Sequence, residues 1–219
     1  MSFISDFMSE QPSLRTQTRD IPVDYSRLHK SEQTRKILLD TALEFLWTNS
    51  FRDLTVAVLT AKAGVSRTCF YQYFSDRHSL MEVLLADFER ELLVVAAPWI
   101  ESETDSAKKL SEGLYGLVKL CYERGPIARA IYESAPTDER LEKAWNKFVD
   151  VFDSAIADRI KKDQESGVAP HFEPRSVAIA LNRMNIGVMI HHFGRHPRCE
   201  IQPVHEAITR IWLNTIYGK

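Results

Sequence analysis

Four aromatic residues crowd into five positions behind a glycine turn, beside polar side chains that suit nucleic-acid recognition. The stretch GVSRTCFYQYFSDRHSL occupies residues 64–80. Arginine, here Arg67, can donate two hydrogen bonds to guanine, and threonine, here Thr68, can bond to base edges or contact a thymine methyl group. The hydroxyls of Tyr71 and Tyr73 suit phosphate oxygens, which position a protein without reading sequence. These residue types therefore predict contacts to DNA.

Two short helices must hold these side chains. Thr55 is the predicted N-cap of the first helix and also a candidate phosphate ligand. Gly64 ends that helix because glycine adopts a positive φ without steric cost. Ser66 is the predicted N-cap of the second helix, which runs from Arg67 to about Tyr73 and presents amides that attract phosphate. The arrangement is typical of a helix-turn-helix.

The four rings divide between core and surface. Phe70 and Phe74 are four positions apart, so they share a helix face and are predicted to be buried. Tyr71 and Tyr73 cannot both share that face, and we predict that they contact phosphate. The alternative is that all four rings close a small three-helix core, with no tyrosine left for DNA.

Composition and charge favour a helical protein with a basic segment. The chain has 219 residues, 44% hydrophobic and 26% charged, with only 8 glycines and 9 prolines. So few helix breakers favour long helices over a many-turned β fold. The net charge is −2, but residues 27–79 carry eight basic and five acidic side chains, a net +3, which leaves −5 for the remainder. The positive charge thus coincides with the segment predicted to contact phosphate.

Cysteine usage and hydropathy bear on location. Cys69, Cys121 and Cys199 are scattered and form no C-x-x-C motif, which indicates reduced thiols. The N-terminal MSFISDFMSE has early acids and no sustained apolar run, so we expect no signal peptide. No window reaches the roughly 18 apolar residues of a membrane span. We therefore expect a soluble, cytoplasmic protein without membrane contact.

Hydrophobic periodicity predicts an all-α protein in three parts. Residues 1–25 have no period and are predicted to be a flexible arm, with a basic minor-groove arm as the alternative. Residues 26–75 form the predicted helix-turn-helix domain, whose first helix follows Lys30 and ends at Asn49-Ser50. Residues 76–219 form a linking helix and a larger bundle.

Within the third part, the linking helix is predicted from Asp76 to Ala97, ending before Pro98. Prolines, glycines and polar runs then separate the remaining periodic stretches. The predicted bundle helices lie at about 107–124, 126–134, 138–165, 174–193 and 203–217.

Residues 55–85 resemble the DNA-binding domain of TetR-family repressors. The matching positions are Thr55, Ala63-Gly64-Val65-Ser66, Phe70-Tyr71, Tyr73-Phe74 and Leu80, within a resemblance that spans residues 30–85. Arg77 stands where the family usually has lysine and keeps a charge for a phosphate contact. Cys69 departs from the usual small residue, so base contact there is not expected. The predicted DNA-binding set is Thr55, Ser66, Arg67, Thr68, Tyr71, Gln72, Tyr73 and Arg77.

The resemblance also implies an assembly and a ligand. TetR-family proteins are homodimers whose recognition helices enter successive major grooves of a near-palindromic operator. The resemblance implies that the last two long helices carry the dimer interface and that the bundle senses a small molecule. The segments ALNRMNIGVMIHHFG and EAITRIWLNTIYGK resemble the EthR-like branch, which implies an elongated, largely apolar effector in a tunnel. Asn182, Asn185 and Trp212 are carried over from those segments.

The residues themselves support a pocket. Asn182 and Asn185 share a helix face that Met189 extends. Because an unpaired buried amide costs about 1–3 kcal/mol, the two are exposed, paired across the bundle, or lining a cavity. The predicted ligand-binding set is Trp99, Trp145, Phe148, Phe152, Asn182, Asn185, Met189 and Trp212. The alternative is that the aromatics are ordinary core and that the asparagines bond to a neighbouring helix.

Other functions have weaker support. The histidine and cysteine cluster after residue 190 has no spacing of a closed zinc site, and loop or interface roles are favoured; its members are His191, His192, His196, Cys199 and His205. Enzyme motifs such as G-x-S-x-G, Walker A and H-E-x-x-H are absent, so we expect neither catalysis nor a cofactor or metal. The rival is a regulator controlled by a protein partner without an effector. Repressor and activator are not distinguished, although a repressor is the prediction.

Overall fold

The computed structural model of this chain describes the backbone of residues 25–218 and the side chains of residues 31–218. The predicted arm, residues 1–25, lies outside the described residues except for Tyr25, which opens the first helix. The described residues contain no β-strand, and the all-α prediction is confirmed. The eight α-helices are α1 (Tyr25–Leu46), α2 (Val56–Ala63), α3 (Arg67–Tyr71), α4 (Arg77–Ile100), α5 (Ser106–Ser134), α6 (Glu139–Glu165), α7 (Pro174–Phe193) and α8 (Ile201–Tyr217).

The first three helices form a small unit around a common apolar core. Leu38, Ala42 and Leu46 recur at four-residue spacing on α1 and are completely buried. Phe70 from α3 and Leu59 from α2 pack into the same core. The unit can therefore hold a five-residue helix, α3, that would be unstable alone.

Two prolines do not end helices as predicted. α4 continues through Pro98 to Ile100, and α5 continues through Pro126, which joins the predicted stretches 107–124 and 126–134 into one helix. A proline removes one backbone hydrogen bond, and tertiary packing outweighs that loss at both places. Trp99 is buried directly after Pro98, and Pro126 is itself buried within α5.

Other predicted boundaries are wrong by smaller amounts. α3 ends at Tyr71 rather than Tyr73, and α8 begins at Ile201 rather than at residue 203. α1 begins at Tyr25, ahead of the predicted start at Lys30. A proline at the third position of α8 fits the first turn, because the first amides of a helix have no intrahelical partner.

The last five helices, α4 to α8, form a bundle with α5 at its centre. α5 packs against α4, α7 and α8, and α6 covers α4 and α7. α4 therefore leads from the small N-terminal unit directly into the bundle. None of the helices in residues 25–218 has the length and hydropathy to span a bilayer.

Candidate functional site

The turn between α2 and α3 has the geometry that its residues predict. Thr55 Oγ1 accepts a hydrogen bond of 3.1 Å from the Val58 amide, and Ser66 Oγ accepts one of 3.1 Å from the Cys69 amide. Gly64 closes α2 in the left-handed region, with φ of +67°. Both predicted caps and the glycine turn are confirmed. α3 has only five residues, so the helix predicted to contact DNA is a single short turn rather than one end of a longer helix.

Polar side chains cover the outer face of α3. Arg67, Thr68 and Gln72 are exposed and make no side-chain hydrogen bond to any residue that the structure describes. Tyr71 is 51% exposed and sets its ring edge-on against Phe70, with centroids 5.3 Å apart. This face offers donors and acceptors that the protein itself leaves free.

The other rings take the predicted positions in part. Phe70 and Phe74 are buried, with centroids 5.6 Å apart. Tyr73 is half-buried against the core, and its hydroxyl has no hydrogen bond among the described residues. The alternative in which all four rings close the core therefore does not describe Tyr71.

Arg77 is engaged inside the protein. Its Nη1 donates hydrogen bonds to the carbonyls of Phe51, Arg52 and Leu54 at 3.2, 3.0 and 3.4 Å. Its guanidinium carbon lies 4.6 Å from the centroid of the Phe51 ring. Arg77 thus fastens the start of α4 to the segment before α2, and a phosphate contact by its remaining donors stays a prediction.

A cavity of about 110 Å³ lies inside the bundle. It is bordered by α4, α5, α6, α7 and α8, and none of the described side chains that line it is charged. All eight predicted ligand-binding residues line this one cavity: Trp99, Trp145, Phe148, Phe152, Asn182, Asn185, Met189 and Trp212. That an effector binds there stays a prediction.

The sequence prediction included Trp99 on α4 but missed the rest of the wall from α4 and the whole wall from α5. Phe88 and Leu92 from α4, and Leu114, Leu117 and Cys121 from α5, also line the cavity. Burial raises the pKa of the Cys121 thiol to about 12, so it is a neutral, apolar part of the wall. The apolar face of α4 was the available signal, but nothing in its spacing separates a cavity wall from ordinary core.

The two asparagines are both paired and cavity-lining. Asn182 Nδ2 donates to Asp153 Oδ1 at 2.7 Å, and Asn185 Oδ1 accepts from Trp212 Nε1 at 3.0 Å. A carboxylate can only accept and an indole can only donate, which fixes the orientation of each amide. Asn182 Oδ1 and Asn185 Nδ2 make no hydrogen bond to the described residues. One acceptor and one donor therefore remain at the cavity wall.

A buried polar network lies behind Trp99. Trp99 Nε1 donates to Tyr217 Oη at 2.9 Å, and Tyr217 Oη donates to Asp163 Oδ2 at 2.7 Å. Arg159 forms a two-point ion pair with Asp163, at 2.8 and 3.0 Å. Burial is the main cause that raises the pKa of Tyr217 to about 12, and the bond to Asp163 adds to it. Tyr217 is therefore a neutral donor in this network.

The histidine and cysteine cluster is dispersed. His192 Nδ1 lies 3.1 Å from Cys199 Sγ, while His196 stacks on Trp47 and His205 hydrogen-bonds to the Ser111 carbonyl. Within the described part of the chain, no group of three potential ligands could hold a metal ion. Of the five, only His196 and Cys199 lie in a loop, and an interface role for the others stays a prediction.

These features are typical of a helix-turn-helix transcriptional regulator. They are a short exposed polar helix after a glycine turn, and a 24-residue helix that leads into a bundle with a cavity. Two family sequence models match the chain. Residues 38–84 match bacterial regulatory proteins of the tetR family, and residues 110–218 match the C-terminal domain of the transcriptional regulator EthR.

Individual proteins agree with these matches. The HTH-type transcriptional regulator EthR of Mycolicibacterium smegmatis is 28% identical over 189 residues, which cover 83% of this chain and 85% of that protein. EthR of Mycobacterium tuberculosis is 25% identical over 186 residues, which cover 83% and 86%. A solved regulatory protein of the tetR family from Rhodococcus RHA1 has a TM-score of 0.67 at 14% identity, covering 84% and 97%, and shows the shared fold.

The chain belongs to the TetR family of transcriptional regulators, and its C-terminal domain resembles that of EthR. The family resemblance predicted from residues 30–85 and from the two C-terminal segments is confirmed. These matches are to regulators and not to enzymes.

Proposed function

We propose that this protein is a repressor that binds a near-palindromic operator as a homodimer and is released by a small, neutral, largely apolar effector. Residues 26–75 would form the DNA-binding domain, and residues 76–219 would form the effector-binding and dimerisation domain. One observation carries the proposal. The same chain has a helix, α3, whose polar side chains face solvent without partners among the described residues, and a cavity lined by uncharged side chains.

The DNA contacts follow from the exposed face of α3. Arg67 and Thr68 stand in its first turn, where a recognition helix reaches base edges. Tyr71 and Tyr73 would contact phosphates, with the hydroxyl of Thr55 free to donate after accepting its capping bond. Since phosphate contacts dominate affinity, binding should weaken steeply as salt rises.

Exposed small and apolar residues on the last two helices support a dimer. Ala180 and Gly187 are exposed on α7, and Ala207 and Ile211 are exposed on α8 at four-residue spacing. Ile211 is 43% exposed and extends the exposed face of α8 that Ala207 begins. A second copy placed against α7 and α8 would cover these residues and set two recognition helices side by side.

The cavity wall suggests the chemistry of the effector. No charged side chain lines it, and a buried, unpaired carboxylate or ammonium would be strongly unfavourable there. Asn182 Oδ1 can accept one hydrogen bond, and Asn185 Nδ2 can donate one. A neutral head group that both donates and accepts, such as an amide, matches this pair, with an apolar chain among the aromatics.

The size of the cavity suggests how the effector acts. At about 110 Å³ it is smaller than the roughly 150 Å³ apolar cavity that holds benzene in an engineered protein. An elongated effector must therefore push its walls apart. Because α4 forms one wall through Phe88 and Leu92, that movement would tilt α4 and shift the recognition helices of the dimer.

The experiment uses decanamide and decanoate, two probes of equal length. An operator is first selected from a random duplex library, and its Kd is measured at fixed salt with each probe and without one. Decanamide should raise the melting temperature of the protein and weaken operator binding by about 5- to 150-fold. Decanoate should do neither, because its charge would be buried without a partner.

The outcomes separate the proposal from its rival. A melting temperature unmoved by both probes and by a panel of neutral amides would contradict the effector and favour control by a protein partner.

For the dimer, Ile211→Glu should lower the mass measured by sedimentation, whereas Val94→Glu should not. Val94 is 62% exposed and lies on α4, outside the two helices proposed to form the interface.

A further inference from the structure

The loop between α7 and α8, residues 194–200, packs against the DNA-binding unit. Its His196 ring stacks on Trp47, with centroids 4.5 Å apart and an angle of 28° between the planes. The guanidinium carbon of Arg198 lies 4.8 Å from the Trp47 ring centroid and 3.9 Å from that of Tyr122 on α5. Arg198 Nη1 also donates to the Tyr122 carbonyl at 2.6 Å. Trp47, directly after α1, thereby contacts two side chains of the loop.

Arg129 reinforces the same junction from α5. This arginine is 2% exposed, and its Nη2 donates to the carbonyls of Leu46 and, at 2.9 Å, Asn49. Both acceptors belong to the turn that ends α1, where helix carbonyls lack intrahelical partners. The C-terminal end of α1 is thus capped by a side chain of the bundle.

The junction shares its backbone with the wall of the cavity. Gly125 and Ile190 line the cavity. A Cβ added at Gly125 would lie 2.4 Å from the Phe193 carbonyl oxygen, so α5 and α7 touch there through their backbones. A Cβ added at Gly194 would lie 3.2 Å from the Arg129 stem. Parting α5 from α7 must therefore displace residues 194–200 or Arg129.

We propose that residues 194–200 form a latch that carries the state of the cavity to the end of α1, by a route separate from α4. An effector that widens the cavity near Gly125 and Ile190 would loosen the stack on Trp47 and free the DNA-binding unit to reorient. The effector step rests on the proposed function, while the mechanical link between cavity wall and α1 does not.

The first test measures coupling in the dimeric, full-length protein. His196→Ala combined with Arg198→Ala should preserve or enlarge the thermal shift by decanamide, because widening the cavity no longer has to loosen the stack on Trp47. Decanamide raises the operator Kd by some factor in the wild type, and in the double variant this factor should be at least about fivefold smaller and approach one. Arg195→Ala is the matched control, because Arg195 lies in the same loop but pairs with Glu133 of α5, at 2.9 Å, and should keep the wild-type factor. A wild-type factor in the double variant would overturn the proposal.

The second test needs no effector. Ile190→Ala alters the cavity wall, and hydrogen exchange of the amides of residues 47–49 should become faster while those of α2 keep their rates. In the background of His196→Ala and Arg198→Ala, the same change should add nothing further. Unchanged exchange at residues 47–49 in Ile190→Ala would contradict the latch even if decanamide does not bind. If decanamide does not bind but exchange at residues 47–49 becomes faster in Ile190→Ala, only the proposed effector is contradicted.

Discussion

The helix-turn-helix unit and the bundle place their polar side chains in opposite ways. Arg67 and Thr68 on α3, and Gln72 directly after it, face solvent without a side-chain partner among the described residues. In the bundle, Arg159 and Asp163 are almost fully buried and bonded to each other. The outward groups are available to a partner and contribute little to stability, whereas the inward groups are used within the fold. Substitutions of the exposed groups should therefore weaken DNA binding with little effect on stability, and substitutions of the buried groups should lower stability.

The largest expected effect comes from the buried ion pair. Arg159→Met should lower the free energy of unfolding by about 3–5 kcal/mol, because it leaves the Asp163 carboxylate buried without its cation. Urea denaturation measures this loss. Arg67→Met, at an exposed arginine, should change stability by no more than about 0.5 kcal/mol. A similar loss of stability in both variants would contradict the inference that only the buried polar groups stabilise the fold.

The next effect contrasts two neighbouring rings of α3. Phe70→Ala should destabilise the protein by about 3–5 kcal/mol, since it empties a fully buried site. Tyr71→Ala should cost less than about 1 kcal/mol but weaken binding to DNA of every sequence. Denaturation and fluorescence anisotropy on the same preparations give both quantities. Equal destabilisation by the two changes would place Tyr71 in the core.

A smaller effect concerns the cap of α3. Ser66→Ala should cost about 1 kcal/mol, because the Cys69 amide loses its acceptor. Thr68→Ala, two residues later and exposed, should change stability by about 0.5 kcal/mol or less. Thermal unfolding of the two variants side by side measures the difference. If Thr68→Ala were the more destabilising change, the assigned cap would be wrong.

The smallest effect is a dependence on acid pH at the junction of α4 and α6. Burial would raise the pKa of Asp138, but hydrogen bonds from His78 and the Leu141 amide outweigh it and leave the pKa below its ordinary 3.8. A carboxyl whose pKa is lower in the folded state stabilises the fold above about pH 3.8, and this contribution is lost as pH falls through the folded value. Asp138→Asn should flatten the stability profile below pH 4. An unchanged slope would show that this carboxyl does not contribute.

The two regions also differ in how far sequence predicts them. Thr55, Gly64 and Ser66 act on amides within a few residues, so their caps and turn could be read from local sequence. The same reasoning failed at Pro126, because this proline is buried within α5 and the helix continues through it. Local sequence therefore predicts the structure where the deciding contacts join residues that are close in sequence.

Long-range contacts account for what sequence left out. Arg129 reaches carbonyls 83 and 80 residues away, and His196 stacks on a ring almost 150 positions earlier. The eight predicted cavity residues do meet, but the walls from α4 and α5 depend on how five helices pack. No spacing within one helix carries that information.

The most direct test of the central claim is selection of bound duplexes from a random DNA library, at fixed salt, by the wild-type protein and by Arg67→Ala and Tyr71→Phe. We expect a near-palindromic consensus for the wild type, an altered consensus for Arg67→Ala, and an unchanged consensus with uniformly weaker binding for Tyr71→Phe. If both variants kept the wild-type consensus and affinity, α3 would not be the element that reads DNA.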